Sequence, residues 1–452
     1  MTITSEPSQR TARVGRQTRF IREDWDAGIF RVHRDAFRSQ EVFDREREQI
    51  WGRGWLYLGH TTELPTPGDY KVRKLGGRPL IFLRDAKGVI RAFYNSCPHR
   101  GTAVCREEEG NARHLRCFYH AWTFDTEGKL VTLPSPDAYP GDDTFRDRLG
   151  LRPVAQLETF RDFVFVSFDE GAPPLRDYLG PAAEYLELVA DQSAVGMRVL
   201  PGTQRYTARA NWKLLVENAM DGYHFAPSHI TFLEYLKRTG MTTSDEGSWV
   251  TLCDNHLVSV QPNHGGRIGL AWEPRFGEAE KERIEQNRAE IIGRLGEERG
   301  TFLADGFKTL HFFPNLLLFD IESISIRMLE PVAPDLTEVT AWALAPVDEP
   351  PEASGLRLRT LVSFIGPGGL ATPDDLEAQE AIQRAVAATA GDQREGVDWN
   401  DVSRGMDDEL EGRPLRANDE AGVRHFWRNW DEAVQGSGTG TGIGTGTGTG
   451  EA

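Results

Sequence analysis

Residues 97–122 read CPHRGTAVCREEEGNARHLRCFYHAW. They contain a Cys-x-His pair, Cys97 and His99, and, after a spacer of 17 residues, a Cys-x-x-His pair, Cys117 and His120. Two thiolates and two imidazoles are the ligands of a 2Fe-2S centre in which histidines replace both cysteines on one iron. A structural zinc site uses the same four ligand types, but zinc motifs usually pair Cys with Cys and His with His. The mixed pairs therefore favour an iron–sulfur centre.

The sequence around these pairs consists of short apolar segments separated by turn signals, which is typical of β-strands. Examples are YKVRKL at 70–75, PLIFLRD at 79–85 and VIRAFYNSC at 89–97. The second half of the chain differs, because it combines helical segments, at 211–236 and 374–390, with strand-like segments at 311–331 and 336–347. An all-β domain followed by mixed strands and helices indicates an α+β protein.

We predict five segments along the chain. They are a flexible arm over residues 1–20, a helical segment over 21–50 that packs on the second domain, the all-β iron–sulfur domain over 51–168, the second domain over 169–435, and a disordered Gly/Thr tail over 436–452.

Composition narrows the possible partners and the compartment. The chain has 452 residues with 52 Lys and Arg against 69 Asp and Glu, and a net charge of −17 repels nucleic acids and anionic membranes. The N-terminus lacks the apolar region of an export signal, and no apolar stretch is long enough to cross a bilayer. Four cysteines are too few for a disulfide scaffold, which indicates reduced thiols. We therefore expect a cytoplasmic protein.

A second group of ligand-type residues lies in NWKLLVENAMDGYHFAPSH, residues 211–229. A helix would place Glu217, Asp221 and His224 on one face, because they occupy positions i, i+4 and i+7. Pro227 should break this helix and let His229 fold back toward His224. Two histidines on one metal need a carboxylate to complete the facial triad of a non-haem Fe(II) oxygenase.

The best candidate for that carboxylate is Asp375, which follows Asp374 at the start of the helix predicted for 374–390. One acid of such a pair commonly serves as an N-terminal charge of the helix, and Asp374 competes for the role of ligand. On the residues alone, ordinary buried histidines and a capping acid pair explain the pattern as well as an iron site does.

Together, the two groups resemble the large (α) subunit of Rieske non-haem iron aromatic ring-hydroxylating oxygenases, over roughly Trp25 to Trp430. The family's two cluster pairs match Cys97 and His99, and Cys117 and His120; its iron ligands match His224, His229 and Asp375. The resemblance implies one 2Fe-2S Rieske cluster, one mononuclear Fe(II), and a catalytic domain built from an antiparallel sheet flanked by helices. Ala121 departs from the family, which usually has glycine there.

The resemblance also implies an activity. The chain would be the terminal oxygenase component of a multicomponent, NAD(P)H-dependent dioxygenase that adds both atoms of O2 to an aromatic ring to give a cis-dihydrodiol. The short spacing between Asn218 and Asp221 is similar to that of members acting on aromatic carboxylates such as benzoate, cumate or phthalate. The alternative is a Rieske-type monooxygenase, a ring hydroxylase or O-demethylase with the same two metal sites.

Further residue roles follow from the same resemblance. Asp221 matches the carboxylate that links the iron ligand His224 to a cluster histidine of a neighbouring subunit, where either His99 or His120 would be its partner. Asn218 and Ile365 match positions that line the substrate pocket.

The chain has no Gly-x-Gly-x-x-Gly motif for a flavin or nicotinamide, so its electrons must come from a ferredoxin and/or a flavin reductase. Arginines around the cluster pairs either dock that donor or are solvated surface charge. They are Arg100, Arg106, Arg113 and Arg116. The resemblance implies a homotrimer, or a hetero-hexamer with a small β subunit.

Overall fold

A computed structural model describes residues 16–139, 143–239, 247–262, 266–392, 394 and 396–436. Residues 1–15 of the predicted arm and 437–452 of the predicted tail lie outside these ranges. The beginning of the described chain is anchored, because Arg16 Nη2 lies 3.0 Å from Asp431 Oδ2 and the Thr18 hydroxyl donates to Asp431 Oδ1 at 3.0 Å. Residues 16–20 are therefore held against the C-terminal helix.

The segment 21–50, for which the sequence predicts helix, begins with an antiparallel hairpin of strands β1 (Ile21–Asp24) and β2 (Ile29–His33). Helices α1 (Asp35–Arg38) and α2 (Gln40–Gln49) follow. Alternate side chains are buried on both strands, Ile21 and Glu23 on β1 and Phe30 and Val32 on β2, as expected for a hairpin with one face on the core. Strand β2 also pairs with residues 399–401, which joins this segment to the second domain.

The described residues of the iron–sulfur domain form ten short strands in three antiparallel sheets, with one short α-helix. The strands are β3 (Trp55–His60), β4 (Asp69–Leu75), β5 (Arg78–Arg84), β6 (Ile90–Tyr94), β7 (Glu109–Asn111), β8 (His114–Arg116), β9 (Thr123–Asp125), β10 (Leu130–Thr132), β11 (Gln156–Phe160) and β12 (Phe163–Ser167); the helix is α3 (Asp143–Asp147). The strand orders are β6-β5-β4-β7, β10-β9-β8 and β11-β12-β3. The ligand pairs lie after β6 and between β8 and β9.

The second domain is built on an eight-stranded antiparallel sheet in the order β13-β20-β19-β18-β17-β16-β15, with β14 also paired to β20. Its strands are β13 (Met197–Val199), β14 (Gln204–Ala208), β15 (Trp249–Cys253), β16 (His256–Gln261), β17 (Phe307–Phe312), β18 (Leu316–Asp320), β19 (Ile324–Ala333) and β20 (Leu336–Pro346); β21 (Trp399–Asp401) pairs with β2. The long β19–β20 hairpin confirms the strands predicted within 311–331 and 336–347.

Helices surround this sheet. They are α4 (Leu175–Leu179), α5 (Ala183–Ala190), α6 (Trp212–Met220), α7 (Phe225–Ser228), α8 (Ile230–Arg238), α9 (Glu278–Leu295), α10 (Glu297–Ala304), α11 (Pro351–Phe364), α12 (Thr372–Ala388), α13 (Met406–Leu410) and α14 (Ala421–Gln435). Single-turn 3-10 helices occur at Thr61–Glu63, Pro136–Ala138, Gly180–Ala182 and Pro274–Phe276. Helix α12 confirms the helix predicted for 374–390. Within the described ranges, none of the helices has the length and apolar character needed to cross a bilayer.

A buried ion pair holds three helices together. Lys213 Nζ on α6 lies 2.5 Å from Glu46 Oε1 on α2, and both side chains are almost completely buried. Glu46 also accepts hydrogen bonds from the indole N–H groups of Trp212 and Trp430, at 3.0 and 2.6 Å. This carboxylate therefore joins α2 to α6 and to α14.

The two domains contact each other through hydrogen bonds as well as apolar packing. The carboxylate of Glu330 on β19 accepts the backbone N–H groups of Gly76 and Gly77, each at 2.7 Å, at the turn between β4 and β5. The amide of Asn315 pairs with the backbone of Tyr57 in both directions, at 2.8 and 3.0 Å. These bonds fix the iron–sulfur domain on the large sheet.

Candidate metal centres

The two Cys/His pairs lie in loops with the same backbone pattern. In each loop the cysteine N–H donates to the carbonyl five residues later, and the N–H four residues later donates back to the cysteine carbonyl. The distances are 2.8 Å for Cys97 to Thr102, 2.8 Å for Gly101 to Cys97, 2.8 Å for Cys117 to Trp122 and 3.0 Å for Ala121 to Cys117. Two equivalent turns therefore present the four predicted cluster ligands.

The fourth residue after each cysteine adopts a left-handed conformation. It is Gly101 in the first loop, with φ of 78°, and Ala121 in the second, with φ of 58°. A side chain in this region costs about 1 kcal/mol relative to glycine. The alanine therefore strains its loop without changing the backbone bonds around Cys117.

The side chains of the two pairs meet. The thiols of Cys97 and Cys117 are buried and in hydrogen-bonding contact, and burial raises the pKa of Cys97. The rings of His99 and His120 lie 4.5 Å apart, and His99 stacks on Trp122 at 4.8 Å. Nδ1 of His99 is buried and has no hydrogen-bond partner among the described residues. Adjacent sulfurs, adjacent imidazoles and a free ring nitrogen fit a 2Fe-2S cluster with mixed ligands.

Asn95 supports the first loop, although sequence reasoning did not identify it. Its buried side-chain amide donates to the carbonyl of Cys105 at 2.8 Å, and its oxygen accepts the N–H groups of Val104 and Cys105, each at 2.9 Å. A buried asparagine two residues before a ligand cysteine is the signal that could have revealed it.

The prediction of one helix through Asp221 and His224 is wrong. Helix α6 ends at Met220, and Asp221 is extended. The Asp221 carboxylate accepts the N–H groups of Tyr223 at 2.6 Å and His224 at 3.3 Å, which begins a new turn. The chain therefore turns at Asp221.

Tertiary packing enforces this early turn. The N–H of Gly222 donates to the carbonyl of Ala417 at 3.0 Å, and a Cβ atom at Gly222 would lie only 2.6 Å from Asn418 Oδ1. Pro227, the predicted breaking point, lies inside the short helix α7. His229 follows α7 and still folds back toward His224, as the sequence predicts.

The three predicted iron ligands converge. Oδ1 of Asp375, in the first turn of α12, lies 3.4 Å from His224 Nε2 and 3.2 Å from His229 Nε2. The three ligand atoms all lie within 4.8 Å of one another, so one metal ion could bind all three. Two imidazoles and one carboxylate are the ligand set of a non-haem Fe(II) site with open coordination positions.

A second acid lies beside the Nδ1 atom of each imidazole, and at His229 it forms a hydrogen bond. Asp221 Oδ2 lies 3.4 Å from His224 Nδ1, and Asp374 Oδ2 lies 3.4 Å from His229 Nδ1. Both Nε2 atoms consequently point toward Asp375. Of the two adjacent acids, Asp375 therefore has the position of a ligand, and Asp374 that of an acid that orients a ligand.

The charges of this group are strongly coupled. Burial disfavours protonation of His224, but the carboxylates of Asp221 and Asp375 outweigh it and raise its pKa to about 9. Burial likewise opposes ionisation of Asp375, yet its contacts with both histidines hold its pKa well below the usual range. A divalent cation would take the place of the proton, because metal binding to histidine releases protons.

The two residues predicted to line the substrate pocket lie in different environments. Asn218 donates from Nδ2 to Asp375 Oδ1 at 3.0 Å and borders cavities on two sides. Ile365 is 8% exposed and packs in an apolar cluster with Phe232 and Phe364. The pocket role of Ile365 stays a prediction.

Comparisons with known proteins cover both centres. Residues 54–158 match the Rieske [2Fe-2S] domain, and residues 197–436 match the catalytic domain of the ring hydroxylating alpha subunit. The chain is 32% identical over 404 residues to the toluate 1,2-dioxygenase subunit alpha of Pseudomonas putida, covering 87% of this chain and 85% of the relative. It is also 32% identical over 392 residues to the 2-halobenzoate 1,2-dioxygenase large subunit of Burkholderia cepacia, covering 85% and 82%.

A solved structure extends the likeness to the fold. Naphthalene 1,2-dioxygenase from Rhodococcus sp., bound to indole, superposes with a TM-score of 0.77 at 28% identity, over 89% of this chain and 94% of that one. The matches confirm the α+β fold, the Rieske cluster and the mononuclear iron, and the assignment as a ring-hydroxylating dioxygenase. The chain therefore belongs to the large (α) subunits of the Rieske-type ring-hydroxylating oxygenases.

Proposed function

We propose that this chain is the terminal oxygenase component of an NAD(P)H-dependent system that adds both atoms of O2 to the ring of an aromatic carboxylate, giving a cis-dihydrodiol. The observation that carries the proposal is the convergence of His224, His229 and Asp375 in a chain that also holds the Rieske loops. The two relatives are named as dioxygenases of toluate and 2-halobenzoate, and both of these substrates carry a carboxylate. Their names therefore support an aromatic carboxylate as the substrate of this chain.

We assign the cofactors to two ligand sets. The cluster would be held by Cys97, His99, Cys117 and His120, and Fe(II) by His224, His229 and Asp375. When bound, the cluster supplies single electrons and the mononuclear iron activates O2.

The chain's own residues position these ligands. Asp374 fixes the ring of His229, and Asn218 holds the oxygen of Asp375 that faces both imidazoles. Asp221 orients His224 and keeps 23% of its side chain exposed, so a neighbouring subunit can reach it. We assign Asp221 as the residue that couples the iron site to His99 or His120 of that neighbour, and keep Asn218 and Ile365 as pocket residues.

The family works with separate electron donors and in oligomers. We infer that a ferredoxin or flavin reductase delivers electrons at the tip of the Rieske domain. There, Phe118 and Tyr119 are 60% and 53% exposed and lie under the guanidinium groups of Arg106 and Arg100. Arg113 and Arg116 are exposed nearby. We further propose a homotrimer, or a hetero-hexamer with a β subunit, in the cytoplasm. The proposed domain boundaries are 51–168 for the iron–sulfur domain and 169–435 for the catalytic domain.

Metal analysis of purified wild type and Asp375→Ala tests the iron assignment. We expect the variant to lose the mononuclear iron because one of three ligands is gone, while acid-labile sulfide and the visible absorption of the cluster remain. Asp335→Ala, at an exposed position, is the matched control and should keep all its iron. Zinc without sulfide in the wild type would refute the assignment.

Product analysis with labelled O2 and benzoate tests the reaction. Two labelled atoms in a cis-dihydrodiol are the expected result. One labelled atom in a phenol would instead establish the monooxygenase alternative.

A further inference from the structure

We propose that Arg327 binds the carboxylate of the aromatic substrate, an inference that rests on the proposed function and identifies its recognition group. Arg327 lies on β19, in the middle of the eight-stranded sheet. It borders a narrow cleft together with the iron ligand Asp375 and with Asn218. A substrate carboxylate bound there would lie beside the iron site.

Arg327 has no acidic partner among the described residues, a property that it shares with the half-buried Arg198 but not with the fully buried arginines of the second domain. The buried arginines elsewhere in the second domain are each paired with a carboxylate; the pairs are Arg267 with Asp320, Arg357 with Glu349, and Arg424 with Glu409. No carboxylate of the described residues lies within 4.0 Å of the Arg327 guanidinium. A partly buried cation without a counter-ion is unfavourable and readily accepts an anion.

The hydrogen bonds of Arg327 leave part of its guanidinium free. Nη2 donates to the carbonyl of Ile365 at 2.7 Å and to the hydroxyl of Thr372 at 3.1 Å. The other guanidinium nitrogens have no bond to the described residues. The plane of the group is held by Phe319, whose ring centre lies 4.6 Å from Cζ. A fixed, half-free guanidinium is suited to a carboxylate.

The rest of the cleft is consistent with a substrate headgroup. Leu317, Leu329 and Leu376 surround it, so a bound anion is shielded from water. The free volume is about 20 Å³, which is room for about one water-sized polar group, so a carboxylate oxygen could enter the cleft while the aromatic ring stays outside it. A metal ion held by His224, His229 and Asp375 would offset the negative charge of Asp375 beside the cleft.

A buried substrate carboxylate needs a cationic or hydrogen-bonding partner, and the sequence contains a signal for one. The signal is the segment ISIRMLEPVA, in which Arg327 is the one cation of an otherwise mostly buried strand.

Calorimetric titration of the metal-loaded enzyme with benzoate and with neutral benzamide tests the proposal. We expect Arg327→Met to raise the dissociation constant of benzoate about 10- to 100-fold, the range for a lost hydrogen bond to a charged group, and to change that of benzamide less than about threefold. The dissociation constant of benzoate for Arg327→Lys should lie between those of the wild type and Arg327→Met, because lysine keeps the charge but not the planar group.

Thr372→Val separates recognition from structure, because it removes the hydroxyl that accepts from Arg327 while keeping the charge. It should retain the preference for benzoate. Equal weakening of both ligands in Arg327→Met, unchanged benzoate binding, or a wild type that does not bind benzoate would each overturn the proposal. A wild type that binds benzoate through Arg327 but yields no oxygenated product would refute the proposed function and leave the anion site standing.

Discussion

Replacing Glu217 by Gln should stabilise the protein above neutral pH. Glu217 lies on α6, lines a cavity next to Asp221, and accepts the indole N–H of Trp427 at 2.6 Å. Burial raises its pKa to about 7, and the nearby acids Glu420 and Asp221 add to that effect. Glutamine has the shape of the protonated acid and can still accept the bond from Trp427, but it never ionises.

The sign and size of the expected change in the free energy of unfolding follow from the linkage between protonation and folding. An unfolded glutamate ionises near its ordinary pKa of 4.5, whereas folded Glu217 keeps its proton to about pH 7. The folded state therefore binds more protons in this window, and the contribution of Glu217 to stability falls as the pH rises through it. At about 1.4 kcal/mol per pKa unit, the full loss would be about 3 kcal/mol. Solvent in the cavity screens the charge, so we expect about 2 kcal/mol.

The assay is the free energy of unfolding from urea titrations of Glu217→Gln and wild type at pH 5 and pH 8, followed by far-UV circular dichroism. The free energy of unfolding of Glu217→Gln should exceed that of the wild type by a small amount at pH 5 and by about 2 kcal/mol at pH 8. Glu234→Gln makes the same change at an exposed position of α8 and should show no such increase. An advantage that is equal at both pH values, or a variant that is less stable at pH 8, would refute the reasoning.

Two further substitutions test the packing described above. Ala121→Gly should stabilise the Rieske domain by about 1 kcal/mol, because it removes a side chain from a residue in the left-handed conformation. The temperature at which the cluster absorption is lost should therefore rise. An unchanged or lower temperature would contradict this reasoning. Lys213→Met should lower the free energy of unfolding in urea by about 3–5 kcal/mol, because Glu46 would be left buried and charged. The control Arg19→Met, in an exposed ion pair with Glu41, should lower it by less than about 1 kcal/mol. Similar losses in both variants would argue against this view of the buried pair.

The presence of a Rieske cluster was predictable because both Cys/His pairs lie within residues 97–120, so their spacing alone indicates the kind of metal centre. The iron site was predictable only in part. The sequence predicted His224, His229 and Asp375 as iron ligands, and the structure brings these three residues together. It did not predict that α6 ends at Met220, because the contact of Gly222 with Ala417 joins positions far apart in the chain. The hairpin at the start of the 21–50 segment escaped prediction for a related reason, because its third strand lies at 399–401.

The roles of Asp374 and Arg327 depend on which side of an element a polar group faces. A pair of acids at a helix start does not reveal that one acid turns toward His229. A single arginine in a strand likewise does not reveal that its acidic partner is absent. Such properties arise only when the sheet and the surrounding helices are assembled.

The wide sequence separation between His224 and Asp375 has a consequence for how the protein matures. The ribosome synthesises the chain from the N-terminus, and early domains generally fold first. The four proposed cluster ligands and the strands around them are complete by Ser167, whereas Asp375, the proposed third iron ligand, emerges more than a hundred positions later. A nascent chain can thus receive its iron–sulfur group while the remainder is still being translated, and the single iron atom can enter only a nearly finished polypeptide.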